Sequence, residues 1–534
     1  MTQLRTKVLL GIALVLFFLG CQKGTKAKNF ILITLDAQRA DYISAYNPAN
    51  ASTPNIDLMA REGILFKNAY GLIPMTLPSH ASIFFSQPPH RFNCYNNGQK
   101  ITLKRSMPSL VNLFRQKGFA TGAFVSLGVL EAQFGLKPGY DTYEDSFPKD
   151  RWYLSAGEVN ERMFPWLEKN QDRPFFLWVH YSDPHDPYAP PDVPLDFKLY
   201  LNDRLVYETS LQKYVVNQVM LDLRAGTNQV RIEFKNEFDR NPAHFLGFFD
   251  RLEFSPVPDQ KELKADFAKG WFVRRARDNF FFKNNSLINI INNSGPRQVQ
   301  LTFRGKPWLS REASRICYRR EVEYMDGEIG KLWDKLRDLR VFDKTVVLLV
   351  GDHGEGLGEY HYENGDIHYG HIHFLYNVYM KVPLIIRDPA SSKKGIVREE
   401  SVSLLDLAPT VTKAMGLKPF ASFQGRDLAE LKIGEKIVLY EETYKPEARK
   451  DRFGIISAPW HLIFTPEENK FEVFNIENDP QEMAGLSRGK DVPKHLLALK
   501  LKLENYSRNA LSGKKEIKID EKTREMLRAL GYIR

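Results

Sequence analysis

Two short, almost wholly apolar runs end in an aspartate. Asn29–Leu35 runs into Asp36, and Val346–Val350 runs through Gly351 into Asp352-His353. Runs of this length without polar alternation suit parallel strands covered on both faces. Similar runs recur at Ala120–Val125, Phe175–Tyr181 and Val382–Ile386. Helical stretches lie between some of them, at Ser109–Lys117, Gly157–Lys169 and Ser310–Arg340. Another helix starts at Thr53-Pro54 and stops at Gly63. Strands alternating with helices predict an α/β fold with a mostly parallel central sheet.

Between Asp196 and Trp308 the pattern changes to period two. Phe197–Asp203, Asn228–Phe234, Leu287–Ile291 and Val299–Phe303 alternate apolar and polar, with a turn at Ala225–Asn228. This predicts an inserted all-β subdomain, a small sandwich that shapes a cleft rim or binds glycan. After Ile437, the segments Val438–Tyr440, Phe453–Ile456 and Glu472–Phe474 predict a small C-terminal antiparallel sheet, and Lys515–Arg534 reads as a charged helix. The expected division is a leader over 1–21, a catalytic domain in two parts over 29–195 and 309–430, the insertion over 196–308, and a C-terminal subdomain with its tail over 431–534.

The leader begins with Arg5 and Lys7, continues through an apolar run from Val8 to Leu19, and ends at Gly20-Cys21. That is a secretory signal peptide, too short for a membrane span. Cys21 stands where a bacterial lipoprotein carries its lipid, which implies a lipid-anchored, extracytoplasmic protein, periplasmic or on the cell surface. The other two cysteines, Cys94 and Cys317, are too few to be a disulfide framework. The 534 residues carry 75 basic and 65 acidic side chains, a net charge of +10, which suits an anionic substrate or surface. No block of Arg and Lys interleaved with aromatics argues for nucleic acid.

In open α/β sheets, sites form at the carboxyl ends of the strands, where Asp36 and Asp352-His353 fall. Between them in sequence, Thr76 opens Thr76-Leu77-Pro78-Ser79-His80, a helix start with Pro in its first turn. Thr is also a good N-cap, but two flanking carboxylates and an imidazole turn the reading towards a metal-activated hydroxyl. Five of the twelve histidines crowd into residues 353–373, and His185 follows the strand Phe175–Tyr181 within Asp183-Pro184-His185. Such density fits metal or anion binding, with at least two of the five being ordinary structural residues. His185 is placed to protonate a leaving group or hold an oxyanion, and His180 is read as a strand residue.

These stretches together resemble the sulfatase family of the alkaline phosphatase superfamily. The similar segments include Leu35–Asp41, Thr53–Asp57, Thr76–Ser82, Pro89-His90-Arg91 through Asn97-Gly98, Asp183–His185, Gly351–Glu355 and Gly370-His371. They continue with Val382–Ile386, Leu405–Thr410 and Phe474–Glu482. The resemblance covers roughly residues 29–195 and 309–485, and the insertion lies outside it. It implies an alkaline phosphatase-like sandwich, a sulfuric or phosphoric ester hydrolase, and an anionic ester substrate such as a glycan or lipid head group.

Departures from the family pattern are informative. The family's maturation motif begins with Cys or Ser and ends in Arg, whereas Thr76 and His80 stand here. Ala37 and His353 replace an Asp and an Asn of the family's calcium site. An imidazole ligand favours Zn²⁺ or Mn²⁺ over Ca²⁺, although Ca²⁺ remains open. The resemblance therefore implies a metal held by Asp36, Asp352, His353 and Thr76, with Thr76 the nucleophile. His185 and His371 would contact the ester, or form a second metal site with Asp183. His80 and Arg39 would orient the site, and Asn97 would contact the anion or its loop. The changes point from sulfate towards phosphate or phosphonate esters. A phosphoethanolamine-type transferase and an inactive polysaccharide-binding lipoprotein are the alternatives.

Overall fold

The computed structural model describes residues 29–534 apart from 103–106, 150, 192–195, 211–214, 235–246, 256–262, 270, 275–278, 308–309, 445–449, 515–518, 531 and 533–534. The expected signal peptide and Cys21 lie outside the described residues. Among the described residues no helix is long and apolar enough to cross a membrane.

A nine-stranded sheet forms the centre. Its order is Lys381–Val382, Ile64–Tyr70, Leu384–Arg387, Thr345–Gly351, Asn29–Leu35, Phe175–Tyr181, Ala120–Phe124 and Thr142–Glu144, with Ile396–Ser403 also pairing Ile64–Tyr70. Asn29–Leu35 runs parallel to both its neighbours and is buried at every position. That double-sided burial is why its sequence carries no polar alternation. One apolar core, with Phe30, Leu348 and Trp178, fills one face. A second, with Ile31, Leu349 and Trp333, fills the other. Each fully buried side chain of this kind contributes about 1.5–3 kcal/mol.

The helices follow their sequence signals. Ser310 caps Arg311–Asp338 by accepting from Ala313 N–H, and Ser155 caps Ala156–Asn170 by accepting from Glu158 N–H. Pro54–Glu62 starts at Pro54 and stops before Gly63. The predicted single strand Val382–Ile386 is broken. Pro383 has no N–H to give a ladder, so Lys381–Val382 and Leu384–Arg387 pair separately, and both run antiparallel to their neighbours.

The insertion is a sandwich of two five-stranded sheets. Phe197, Leu199, Val230, Ile232, Ile288, Ile290, Leu301 and Phe303 fill it, all on the alternating positions. A third five-stranded sheet, wholly antiparallel from Leu439–Thr443 to Ser487–Gly489, lies near the C-terminus. The helices Leu497–Ser512 and Glu521–Ala529 follow it. Cys94 and Cys317 are both buried and are not joined in a disulfide.

Candidate active site

Parallel register brings the two aspartates together. Leu35 pairs with Gly351 on one side and with Tyr181 on the other, so Asp36 and Asp352 leave adjacent strands at the same edge. Asp36 N–H donates to Tyr181 O at 2.9 Å, and Asp352 N–H to Leu35 O at 3.2 Å. Backbone N–H groups of Ala37 and His353 donate to Asp352 Oδ1 at 3.2 and 2.7 Å. Ala37 turns away at φ 54°, a left-handed conformation that a small side chain tolerates best.

Asp36, Asp352 and His353 are fully buried, and one ligand atom from each lies within 4.8 Å of the others. The tautomer of His353 decides what the cluster can hold. Nδ1 faces the carbonyl oxygen of Gly354 at 3.0 Å, so Nδ1 carries the proton. Burial pushes this imidazole down to about 3, and His371 pushes the same way, so it is neutral. Its Nε2 lone pair then points at Asp352 Oδ2 (3.4 Å) and Asp36 Oδ1 (3.5 Å). Nε2 of His353 and Oδ2 of Asp352 make no hydrogen bond. Electron pairs converging in a dry pocket repel unless a cation lies among them, so the donor set fits a divalent ion. Burial and the Asp36 charge together hold the Asp352 carboxyl well above its usual range, which is the same conflict seen from the acid.

Thr76 is the first residue of the helix Thr76–Phe85, but it is no cap. Met75 holds the N-cap position without a side-chain bond. Thr76 Oγ1 instead faces the hydroxyl of Tyr532 at 2.8 Å. Asn97 does the capping, its Oδ1 accepting from Leu77 N–H at 2.8 Å, while its buried Nδ2 makes no hydrogen bond. Ser79 Oγ donates to Asp352 O at 2.8 Å and ties the helix's first turn to the metal-site edge.

His80 stands behind this turn. Its Nδ1 lies 2.7 Å from Thr76 O, and its Nε2 lies 2.9 Å from Thr34 Oγ1, which accepts in turn from Trp178 Nε1 at 2.9 Å. His80 therefore positions the Thr76 backbone. The same Nδ1 lies 3.6 Å from Asp352 Oδ2. Arg39, by contrast, is turned away, paired with Glu359 at 2.7 Å and Asp41 at 2.8 Å. It braces the Glu355 backbone carbonyl at 3.3 Å.

His185 and His371 line the open side. His185 Nδ1 donates to Asp186 O at 2.7 Å, leaving Nε2 to accept from Tyr532 at 2.8 Å. The His371 ring lies 4.2 Å from the His353 ring and 5.0 Å from the His185 ring, centroid to centroid. Asp183 is not available for a second ion, because its oxygens accept from Ala156 N–H at 3.1 and 3.2 Å and from Tyr153 OH at 3.2 Å. Of the remaining clustered histidines, His361 is exposed, and His368 and His373 pack among Tyr362, Phe374 and each other.

The family described as Sulfatase matches residues 28–417, and one described as N-sulphoglucosamine sulphohydrolase, C-terminal, matches 365–509. The chain belongs to the sulfatase family. It is thus a sulfuric ester hydrolase of the alkaline phosphatase superfamily, a group that uses a divalent metal. The arylsulfatase of Clostridium perfringens is 23% identical over 473 residues, covering 86% of this chain and 90% of that one. Phosphonate monoester hydrolase of Agrobacterium radiobacter superposes with a TM-score of 0.57 at 16% identity, covering 91% of this chain and 96% of that one. A protein in complex with its substrate D-glucosamine-2-N,6-O-disulfate does so at 0.57 and 16%, covering 93% and 100%.

In this sulfatase-family site four side chains join that sequence reading did not assign. His180 Nε2 lies 3.3 Å from Asp36 Oδ2, on the far side from His353. Burial pushes it down to about 3, so it too is neutral. Glu355 Oε2 accepts from His371 Nδ1 at 2.7 Å, and Glu355 Oε1 accepts from Tyr188 OH at 2.7 Å. Tyr532 completes the set. Register would have found His180, which pairs with Thr34, two residues before Asp36. Glu355 ends the segment Gly351–Glu355 and Tyr188 follows Asp183–His185 by three residues, but no local signal marks Tyr532.

Proposed function

We propose that this protein hydrolyses sulfate, phosphate or phosphonate esters with Thr76 as nucleophile at a metal site made by Asp36, Asp352 and His353. The observation that carries the reading is the His353 Nε2 lone pair directed at two carboxylate oxygens 3.4 and 3.5 Å away. Asp36, Asp352 and His353, with Thr76 Oγ1 as a further ligand, would hold a divalent ion, whose Lewis acidity would lower the hydroxyl's pKa and offset the ester's charge. The imidazole in the set favours Zn²⁺ or Mn²⁺ over Ca²⁺.

Thr76 Oγ1, ionised with its proton lost to solvent, attacks the sulfur or phosphorus, forming the Oγ1 bond as the bond to the leaving oxygen breaks. His185 Nε2, protonated in the substrate complex, gives its proton to that oxygen and becomes neutral. Water then attacks the covalent ester of Thr76, with His185 taking the water's proton, and Thr76 is regenerated. Glu355 holds His371 with Nε2 directed away from the carboxylate, ready to contact a non-bridging oxygen. An alcohol in place of water would make the same site a transferase.

The N-terminal address belongs to the same reading: a lipid on Cys21 would hold the enzyme at an extracytoplasmic membrane face, where sulfated or phosphorylated glycans and lipid head groups are met.

Turnover of 4-nitrophenyl sulfate, phenyl 4-nitrophenyl phosphate and a phenylphosphonate by metal-loaded protein tests the reading. Thr76→Ala is expected to remove on the order of 10⁴ or more of kcat. Mass spectrometry of the wild type after substrate exposure is expected to find a sulfuryl or phosphoryl group on Thr76. Undiminished turnover in the variant would remove Thr76 from the mechanism.

A further inference from the structure

Tyr532 occupies the space where the reacting ester must go. Its hydroxyl lies 2.8 Å from Thr76 Oγ1 and 2.8 Å from His185 Nε2. A tetrahedral sulfuryl or phosphoryl group does not fit between the threonine and the histidine while that oxygen is there. The hydrogen-bond directions are also those of a product alcohol. His185 Nδ1 is committed to Asp186 O, so Nε2 accepts and the phenol donates. A leaving alcohol that had just taken a proton from His185 would be held the same way. The ring packs against His185 at 5.3 Å and His371 at 5.7 Å, both at wide interplanar angles.

The tail that delivers this ring is a single short helix. Glu521–Ala529 is capped by Asp520 and buries Thr523, Met526, Leu527 and Ala529, while its opposite face is charged. It seats on two glycines where a larger residue would collide. A Cβ on Gly98 would lie 2.7 Å from Leu527 Cδ1, and one on Gly128 would lie 2.8 Å from Met526 Sδ. Gly98 follows Asn97, the residue that caps the nucleophile's helix. The tail's outer face meets the insertion through Glu525 and Arg251, 3.6 Å apart. A nine-residue helix held on one face is the kind of element that opens locally without unfolding the domain.

We propose that Tyr532 is a tethered plug in the leaving-group subsite, that this subsite takes a phenolic alcohol, and that an aryl ester enters only when the ring withdraws. This rests on the function proposed above, in that His185 faces the leaving group. A tethered ring competes at an effective concentration on the order of millimolar. Apparent affinity for a competing ligand falls in proportion to the fraction of molecules left open.

The test uses the full-length, metal-loaded protein and Tyr532→Ala, with Tyr532→Phe as the milder variant. Phenol binding is measured by calorimetry, and 4-nitrophenyl sulfate and 4-nitrophenyl phosphate give kcat and KM. Hydrogen exchange of residues 521–530 is followed with and without phenol. Phenol should bind Tyr532→Ala about tenfold or more tighter than wild type. KM should fall by a similar factor with kcat kept, and phenol should speed exchange of the tail helix in the wild type. Tyr532→Phe should lie between the two. Equal phenol binding by wild type and Tyr532→Ala, or binding by neither, overturns the proposal. So does a Tyr532→Ala enzyme whose kcat collapses at constant KM, since that is the mark of a positioning residue. Tighter phenol binding in an otherwise inactive protein upholds the plug and removes the proposed chemistry instead.

Discussion

His371 donates its Nδ1 proton to Glu355 Oε2 at 2.7 Å, which fixes its tautomer and leaves Nε2 without a hydrogen-bond partner beside His353. Burial pushes His371 down to about 4, although Asp36 and Asp186 pull the other way, so the ring is neutral near pH 7. A buried carboxylate is spent on orienting one imidazole, and Tyr188 donates to that carboxylate's other oxygen to hold it still.

Glu355→Gln should therefore lower activity without removing any group that touches the ester. The amide can turn its N–H₂ towards His371 and favour the other tautomer. A loss of about 10–100-fold in kcat/KM is expected, on the scale of other orienting carboxylates. Steady-state kinetics with the melting temperature measured alongside separates this from a folding defect. Unchanged kinetics would mean that His371 takes no part.

Metal-free protein should lose stability as pH falls below the ordinary histidine range. His180 and His353 sit at about 3 and His371 at about 4 in the folded state, against about 6.5 unfolded. Between those values the unfolded chain binds protons that the folded chain refuses. The slope of unfolding free energy with pH is then positive, and stability present above pH 6.5 is lost on acidification towards 4. The size is about 1 kcal/mol per pH unit for each histidine. Urea unfolding of EDTA-treated protein from pH 7.5 to 4.5 measures it, and a flat profile would show these rings protonated when folded.

Chelation should abolish ester turnover and lower the melting temperature, and Zn²⁺ or Mn²⁺ should restore both. His353→Asn replaces the one imidazole of the core set with an oxygen donor. Zn²⁺ affinity should fall and Ca²⁺ should become the better activator, as the chemistry of all-oxygen sites dictates. Competition titration against a fluorescent chelator ranks the ions, and an unchanged ranking would exclude His353 from the ligands.

Gly354→Ala should be among the most damaging small changes to the fold. A Cβ there would stand 2.0 Å from the carbonyl oxygen of Val378, and Gly354 N–H bonds Tyr379 O at 2.7 Å. Neither backbone can yield without moving His353. A loss of about 3 kcal/mol or more is expected in denaturant unfolding, with metal affinity reduced as well. Gly513→Ala, with nothing within 4 Å, is the control and should be near neutral.

The strands that carry Asp36 and Asp352 were legible because burial on both faces removes polar residues from a whole run. The helix behind Ser310 and the alternating sandwich strands were legible through capping and periodicity. Ile64–Tyr70 and Ile396–Ser403 were not. The first mixes Lys67 and Asn68 into its pattern, and the second carries Arg398, Glu399 and Glu400 on a half-exposed edge. Val382–Ile386 was misread as one strand because its pairing is interrupted at Pro383.

What the sequence by itself determined is whatever neighbours along the chain can dictate. That covers the apolar strands and the carboxylates that end them, the helix opened by Thr76, and the histidine that directly follows the second carboxylate. The tertiary structure alone decided that Thr76 is not a cap, that Arg39 faces away, that His80 lies beside Asp352, and that His180 and Glu355 stand against Asp36 and His371. It also decided that Tyr532 reaches Thr76 across 456 residues of chain. Periodicity and caps act over a few residues, whereas a hydrogen bond across hundreds exists only after the sheet register and helix packing have brought its two ends together.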